Sequence, residues 1–100
     1  MEIKNVAMAG TLESSDVQVT IEPAVDGYDL NIDSTVINQF GKQIKAVILE
    51  TLQDLGVKAA KITVIDRGAL DCTIRARTEC AVYRAAAKSG ENIPWRSAKQ

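Results

Sequence analysis

Apolar and polar residues alternate in three short stretches early in the chain. Residues 6–12 carry Val6, Met8, Gly10 and Leu12 on one side, and residues 17–21 carry Val17, Val19 and Ile21. Residues 28–33 alternate Tyr28, Leu30 and Ile32 with Asp29, Asn31 and Asp33. A period of two is the pattern of a half-buried strand, so each stretch is predicted as one. The polar insert Glu13-Ser14-Ser15-Asp16 joins the first two as a hairpin turn, which puts Ser14 and Ser15 at an exposed tip. Pro23 and Asp26-Gly27 end the second strand, because Pro donates nothing to a ladder and Gly supplies the special angles of a turn.

From Ser34 the period lengthens. Val36, Phe40, Ile44, Val47, Ile48, Leu52 and Leu55 recur at three- and four-residue steps, which predicts a long helix with Ser34 at its cap and Gly56 just past its end. Gly41 inside that helix costs about 1 kcal/mol relative to Ala, and the apolar stripe overrides it. Residues 61–65 return to alternation, burying Ile62 and Val64. Asp66-Arg67-Gly68 reads as a second hairpin turn, followed by a strand with Leu70, Cys72 and Ile74 inward. A second helix is expected over Arg75 to Ala87, with Cys80 and Tyr83 on its buried side and Gly90 and Pro94 closing it. The expected fold class is α+β: an antiparallel sheet of about five strands with two helices on one face, a two-layer sandwich whose strand order this pattern does not decide. One domain over residues 1–90 and a tail over 91–100, with Trp95 as its large apolar anchor, complete the expected organisation.

Composition narrows the chemistry. With 100 residues there is no room for separate catalytic and binding domains. No histidine is present, which removes the commonest general base and every His-containing metal site. Twelve Lys and Arg against 13 Asp and Glu give a net charge of -1, the wrong sign for holding phosphodiester backbones, so nucleic acid is not expected as a partner. No apolar run approaches the roughly 20 residues of a membrane span. Two cysteines and an N-terminus without a signal-peptide core fit a reducing cytoplasm.

Few residues remain as candidates for chemistry. Ser14 has acidic neighbours and no base to activate it, so it is either a hydroxyl that another enzyme modifies or a plain turn former beside Ser15. Cys72 and Cys80, inward on their predicted elements, read as inert core thiols more readily than as a redox pair. Arg75, Arg77 and Arg84 form either a solvated basic face or a contact for an anionic group on a partner, the first being favoured. Pro94-Trp95 either docks on another subunit or folds over its own core.

The stretches Ala9-Gly10-Thr11-Leu12-Glu13-Ser14, Asp66-Arg67-Gly68-Ala69-Leu70-Asp71-Cys72 and Ile74-Arg75-Ala76-Arg77, with Gln39-Phe40-Gly41 and Pro94-Trp95, resemble the citrate lyase acyl carrier proteins, the gamma subunits of that bacterial complex. The resemblance runs over essentially the whole chain. It implies that Ser14 binds a phosphoribosyl-dephospho-CoA prosthetic group, derived from 2'-(5''-triphosphoribosyl)-3'-dephospho-CoA, through a phosphodiester placed by a transferase. The terminal thiol of that group would carry acetyl and then citryl between an alpha subunit that exchanges them and a beta subunit that cleaves the citryl thioester. The chain would itself be noncatalytic, and a rigid body with an exposed hydroxyl and no competing base suits such a carrier. The related carrier of malonate decarboxylase and a small noncatalytic interaction or ligand-binding module are the competing readings.

Overall fold

A computed structural model describes residues 1–34 and 37–86, with the backbone alone over residues 37–40. Six elements follow in order: β1 (Ala7–Gly10), β2 (Val17–Glu22), β3 (Gly27–Ser34), α1 (Ile37–Asp54), β4 (Ala59–Asp66) and α2 (Asp71–Ala86). The four strands form one sheet in the order β1-β2-β4-β3. β2 pairs antiparallel with β1 and with β4, whereas β3 runs parallel to β4. The sheet is therefore mixed, not antiparallel throughout. Parallel neighbours require a crossover, and α1 provides it between β3 and β4.

The fifth strand expected around Leu70, Cys72 and Ile74 does not exist. Those residues enter α2, which starts at Asp71, because β4 ends at Asp66 and the chain turns through Gly68 at φ 89°. The Asp66 carboxylate accepts the Ala69 N–H at 2.9 Å, and the Ile74 N–H already bonds to the Leu70 carbonyl at 3.0 Å in the helical i to i−4 pattern. Thus Ile74 is buried on a helix face with Thr78, Ala81, Val82 and Ala85, while Leu70 and Cys72 are exposed.

Both helices cover the same face of the sheet, where Val17, Val19 and Ile21 of β2 and Ala60, Ile62 and Val64 of β4 meet Ile44, Ile48 and Leu52 of α1 and the buried face of α2. The opposite face carries Gln18, Thr20 and Glu22 beside Lys61, Thr63 and Ile65. On β1 the side chains run in the opposite phase from the sequence pattern. Pairing of Ala9 with Val19 turns Ala9 into the core, and pairing of Met8 with Thr20 leaves Met8 on the open face; Val6 and Leu12 are exposed too. Small residues inside β1 let α2 lie close to it.

The expected end of α1 is observed. Gly56, at φ 71°, donates its N–H to the Gln53 carbonyl at 3.0 Å, and the Val57 N–H reaches the Leu52 carbonyl at 2.9 Å. This is a Schellman cap, with Leu52 and Val57 buried together beneath it. Val36, at the start of that helix's predicted stripe, and the predicted tail with Gly90, Pro94 and Trp95 lie outside the described residues.

Candidate functional site

Ser14 occupies the tip of the β1–β2 hairpin. The Asp16 N–H bonds to the Glu13 carbonyl at 3.1 Å, closing a four-residue turn in which Ser14 and Ser15 are central. Ser15, at φ 65°, takes the position of a type II turn that demands a positive φ. Both serines are exposed, but their surroundings differ. Ser15 is tied through its N–H to the Arg67 carbonyl at 2.7 Å, whereas the Ser14 hydroxyl has no hydrogen-bond partner among the described residues.

One carboxylate organises both arms of the tip. Asp16 accepts the Thr11 hydroxyl at 2.6 Å and the Thr11 N–H at 3.2 Å on Oδ2, and the Val17 N–H at 2.7 Å on Oδ1. Thr11 Oγ1 in turn accepts the Glu13 N–H at 3.2 Å. From α2, Arg77 donates Nε to Oδ1 and Nη2 to Oδ2, each at 3.1 Å, a bidentate fork. The Thr11 hydroxyl, then Arg77 and the Val17 N–H, hold the Asp16 carboxyl down at about 2, well below the usual carboxylate range. Gly10 makes the approach possible: at φ 92°, a Cβ there would stand 1.8 Å from the Val17 carbonyl oxygen and 3.2 Å from Arg77 Cδ.

A second carboxylate organises the adjoining turn. Asp66 is buried at the end of β4, accepting the Ser34 hydroxyl at 2.7 Å on Oδ2 and the Ala69 N–H on Oδ1. Two backbone bonds zip the two turns together, Ser15 N–H to the Arg67 carbonyl and Arg67 N–H to the Asp16 carbonyl at 2.9 Å. The segments Ala9–Ser14 and Asp66–Cys72, more than fifty residues apart in sequence, therefore become one surface, braced by Arg77 from the third.

The three arginines are neither a free basic face nor unpaired cations. Arg75 pairs with Asp54 at 2.6 Å, Glu50 at 3.5 Å and Glu79 at 3.7 Å, locking the end of α1 to α2, and this pairing raises its pKa, the Asp54 hydrogen bond contributing most. Arg77 is spent on Asp16, and Arg84 donates Nη1 to the Met8 carbonyl at 2.7 Å. The cysteines also depart from expectation: Cys80 is partly buried against the core, but Cys72 is exposed in the first turn of α2. Asp16 was visible in the sequence only as an acidic neighbour of Ser14; its Arg77 partner, 61 residues away, gave no local signal. Among the described residues no cluster of acidic or thiol side chains is arranged to hold a metal ion, and no helix is long and apolar enough to cross a membrane.

Residues 4–85 match the acyl carrier protein family described as the malonate decarboxylase delta subunit (MdcD). The citrate lyase acyl carrier protein of Streptococcus mutans serotype c is 58% identical over 87 residues, covering 86% of this chain and 85% of that one. The citrate lyase acyl carrier protein of Haemophilus influenzae is 50% identical over 95 residues, covering 95% and 96%. A chain in the crystal structure of a Pseudomonas malonate decarboxylase hetero-tetramer in complex with malonate superposes with a TM-score of 0.72 at 25% identity, over 84% of this chain and 87% of that one. With half or more of its residues shared over most of its length, the chain belongs to the citrate lyase acyl carrier proteins, noncatalytic subunits that carry a prosthetic group.

Proposed function

We propose that Ser14 holds a phosphoribosyl-dephospho-CoA group through a phosphodiester, and that this chain carries acetyl and citryl thioesters between the alpha and beta subunits of a cytoplasmic citrate lyase complex. One observation carries the reading: the Ser14 hydroxyl is exposed and unpartnered on a turn whose backbone is fixed on both sides. Substitution of its proton by phosphorus breaks no hydrogen bond within the described residues. Ser15 has the same hydroxyl but a constrained backbone, and it lies one position beyond the Ala9–Glu13 motif.

The residues present fit such a group. Once bound, it supplies the thiol, so no side chain of the chain has to act as nucleophile. The task left to the protein is mechanical: Asp16, Arg77 and Gly10 hold the attachment point rigid, and Arg75 fastens the two helices beneath it. Tethering makes each encounter with a neighbouring active site intramolecular, with effective concentrations in the millimolar range for short flexible tethers. Identity of 50–58% to citrate lyase carriers against 25% to the malonate decarboxylase chain favours citrate over malonate chemistry.

Coexpression with the prosthetic-group transferase should raise the intact mass by the group alone. The loaded chain, purified, should neither cleave citrate nor exchange acyl groups; adding alpha and beta subunits should restore citrate cleavage. Turnover of citrate by the chain alone, or of malonate but not citrate by the assembled complex, contradicts the reading.

A further inference from the structure

Beside the hairpin tip the structure holds a cavity of about 570 Å³ between α1 and the start of α2, in the range of small-ligand pockets. Ile44, Ala69, Leu70 and Ile74 give it a mostly apolar wall, and Asp66, Asp71 and Cys72 are among its other lining residues. Its position relative to Ser14 is set by hydrogen bonding. Ser15 bonds to Arg67, and the residues on either side of Arg67, Asp66 and Gly68, both line the cavity. A flexible arm anchored at Ser14 thus starts within a few residues' breadth of the opening, where tethering raises its local concentration to about the millimolar range.

We infer that this cavity is the resting place of the arm carried on Ser14, and that it shelters the arm with a neutral cap while refusing an anionic one. This rests on the reading of Ser14 as the attachment residue. The arm's phosphates stay near Ser14 outside the cavity; the apolar wall favours its acetyl-capped thiol end, which is neutral. A citryl cap brings free carboxylates toward Asp66, which is buried and accepts from Ser34 and Ala69, and toward the exposed Asp71, which accepts Gln43 Nε2 at 2.7 Å. Among the described residues of the cavity wall neither carboxylate has a cation opposite it. Burial of like charges together without a partner is unfavourable, so the citryl form stays outside, available to a cleaving subunit. The cavity thereby sorts the two cargoes of a single carrier by charge.

Cys72 is a reporter already in place, exposed in the apo chain and part of the cavity wall, while Cys80 lies elsewhere against the core. The test compares three forms of the full chain: apo, loaded and S-acetylated, and loaded and S-carboxymethylated, each with its adduct site read by peptide mass spectrometry. Iodoacetamide labelling of Cys72 should slow by about fivefold in the acetyl form, the protection given by roughly four-fifths occupancy, with Cys80 unchanged. The carboxymethyl form should label at the apo rate. Leu70→Asp, on an exposed position, should return the acetyl form to the apo rate as well.

Equal Cys72 rates in the apo and acetyl forms, with the adduct shown on Ser14, overturn the inference and leave the attachment reading intact. Equal protection by both caps overturns the charge sorting. An adduct on another residue overturns both readings.

Discussion

Arg77 donates both arms of its guanidinium to Asp16, Nε to Oδ1 and Nη2 to Oδ2, each at 3.1 Å. The pair joins the second helix to the hairpin that presents Ser14, so that loop is held by the body of the domain and not by its own turn alone.

A pH dependence follows from this pair. The folded carboxyl of Asp16 is held down at about 2, below the ordinary 3.8 of a free aspartate, so its contribution is full above about pH 4 and is lost as pH falls toward 2. Urea midpoints of the wild type and Asp16→Asn should differ most near pH 5 and converge as the pH is lowered through that window. Asp16→Asn should cost about 2 kcal/mol at pH 5, the scale of charged hydrogen bonds lost in a partly buried site. A difference that stays constant from pH 5 to pH 2 contradicts the assignment.

Gly10→Ala should be far more damaging than its size suggests. The new methyl would stand 1.8 Å from the Val17 carbonyl oxygen, on a backbone at φ 92° that side chains rarely adopt. A loss of about 3 kcal/mol or more is expected, by thermal or urea unfolding, from strain plus displacement of β2. A variant of near wild-type stability would mean that the hairpin is not closed as described.

The thiols should both be free and unequal. Cys72 is exposed and Cys80 partly buried, so a thiol reagent should count two in the unfolded apo protein without prior reduction and should label Cys72 first in the native one. A count of zero, or faster labelling of Cys80, contradicts the structure.

Much of this was legible in the sequence, and the parts that were not share a cause. The α1 stripe of Ile44, Ile48 and Leu52 and its Gly56 cap were readable because helix period and C-terminal glycine are local signals. The hairpin around Ser14 was readable for the same reason. Around Leu70, Cys72 and Ile74 a three-point alternation competed with a helical face continuing to Thr78, Val82 and Ala85; the Asp66 side chain, by capping the turn at Ala69, decided for the helix. On β1 the alternation Val6, Met8, Gly10 and Leu12 pointed to the wrong face, because pairing with β2 sets Ala9 opposite the buried Val19 and Met8 opposite Thr20. The parallel β3–β4 pair and the Asp16–Arg77 fork are contacts between distant segments, which no local period reports.

The attachment residue is the central claim, and peptide mass spectrometry of Ser14→Ala and Ser15→Ala, each coexpressed with the modifying enzymes, tests it most directly. Both substitutions are exposed, so Ser14→Ala should change stability by about 0.5 kcal/mol or less. The covalent group should be absent from Ser14→Ala and present on Ser14 in Ser15→Ala. An adduct that persists in Ser14→Ala, or that is lost from a well-folded Ser15→Ala, would contradict the account.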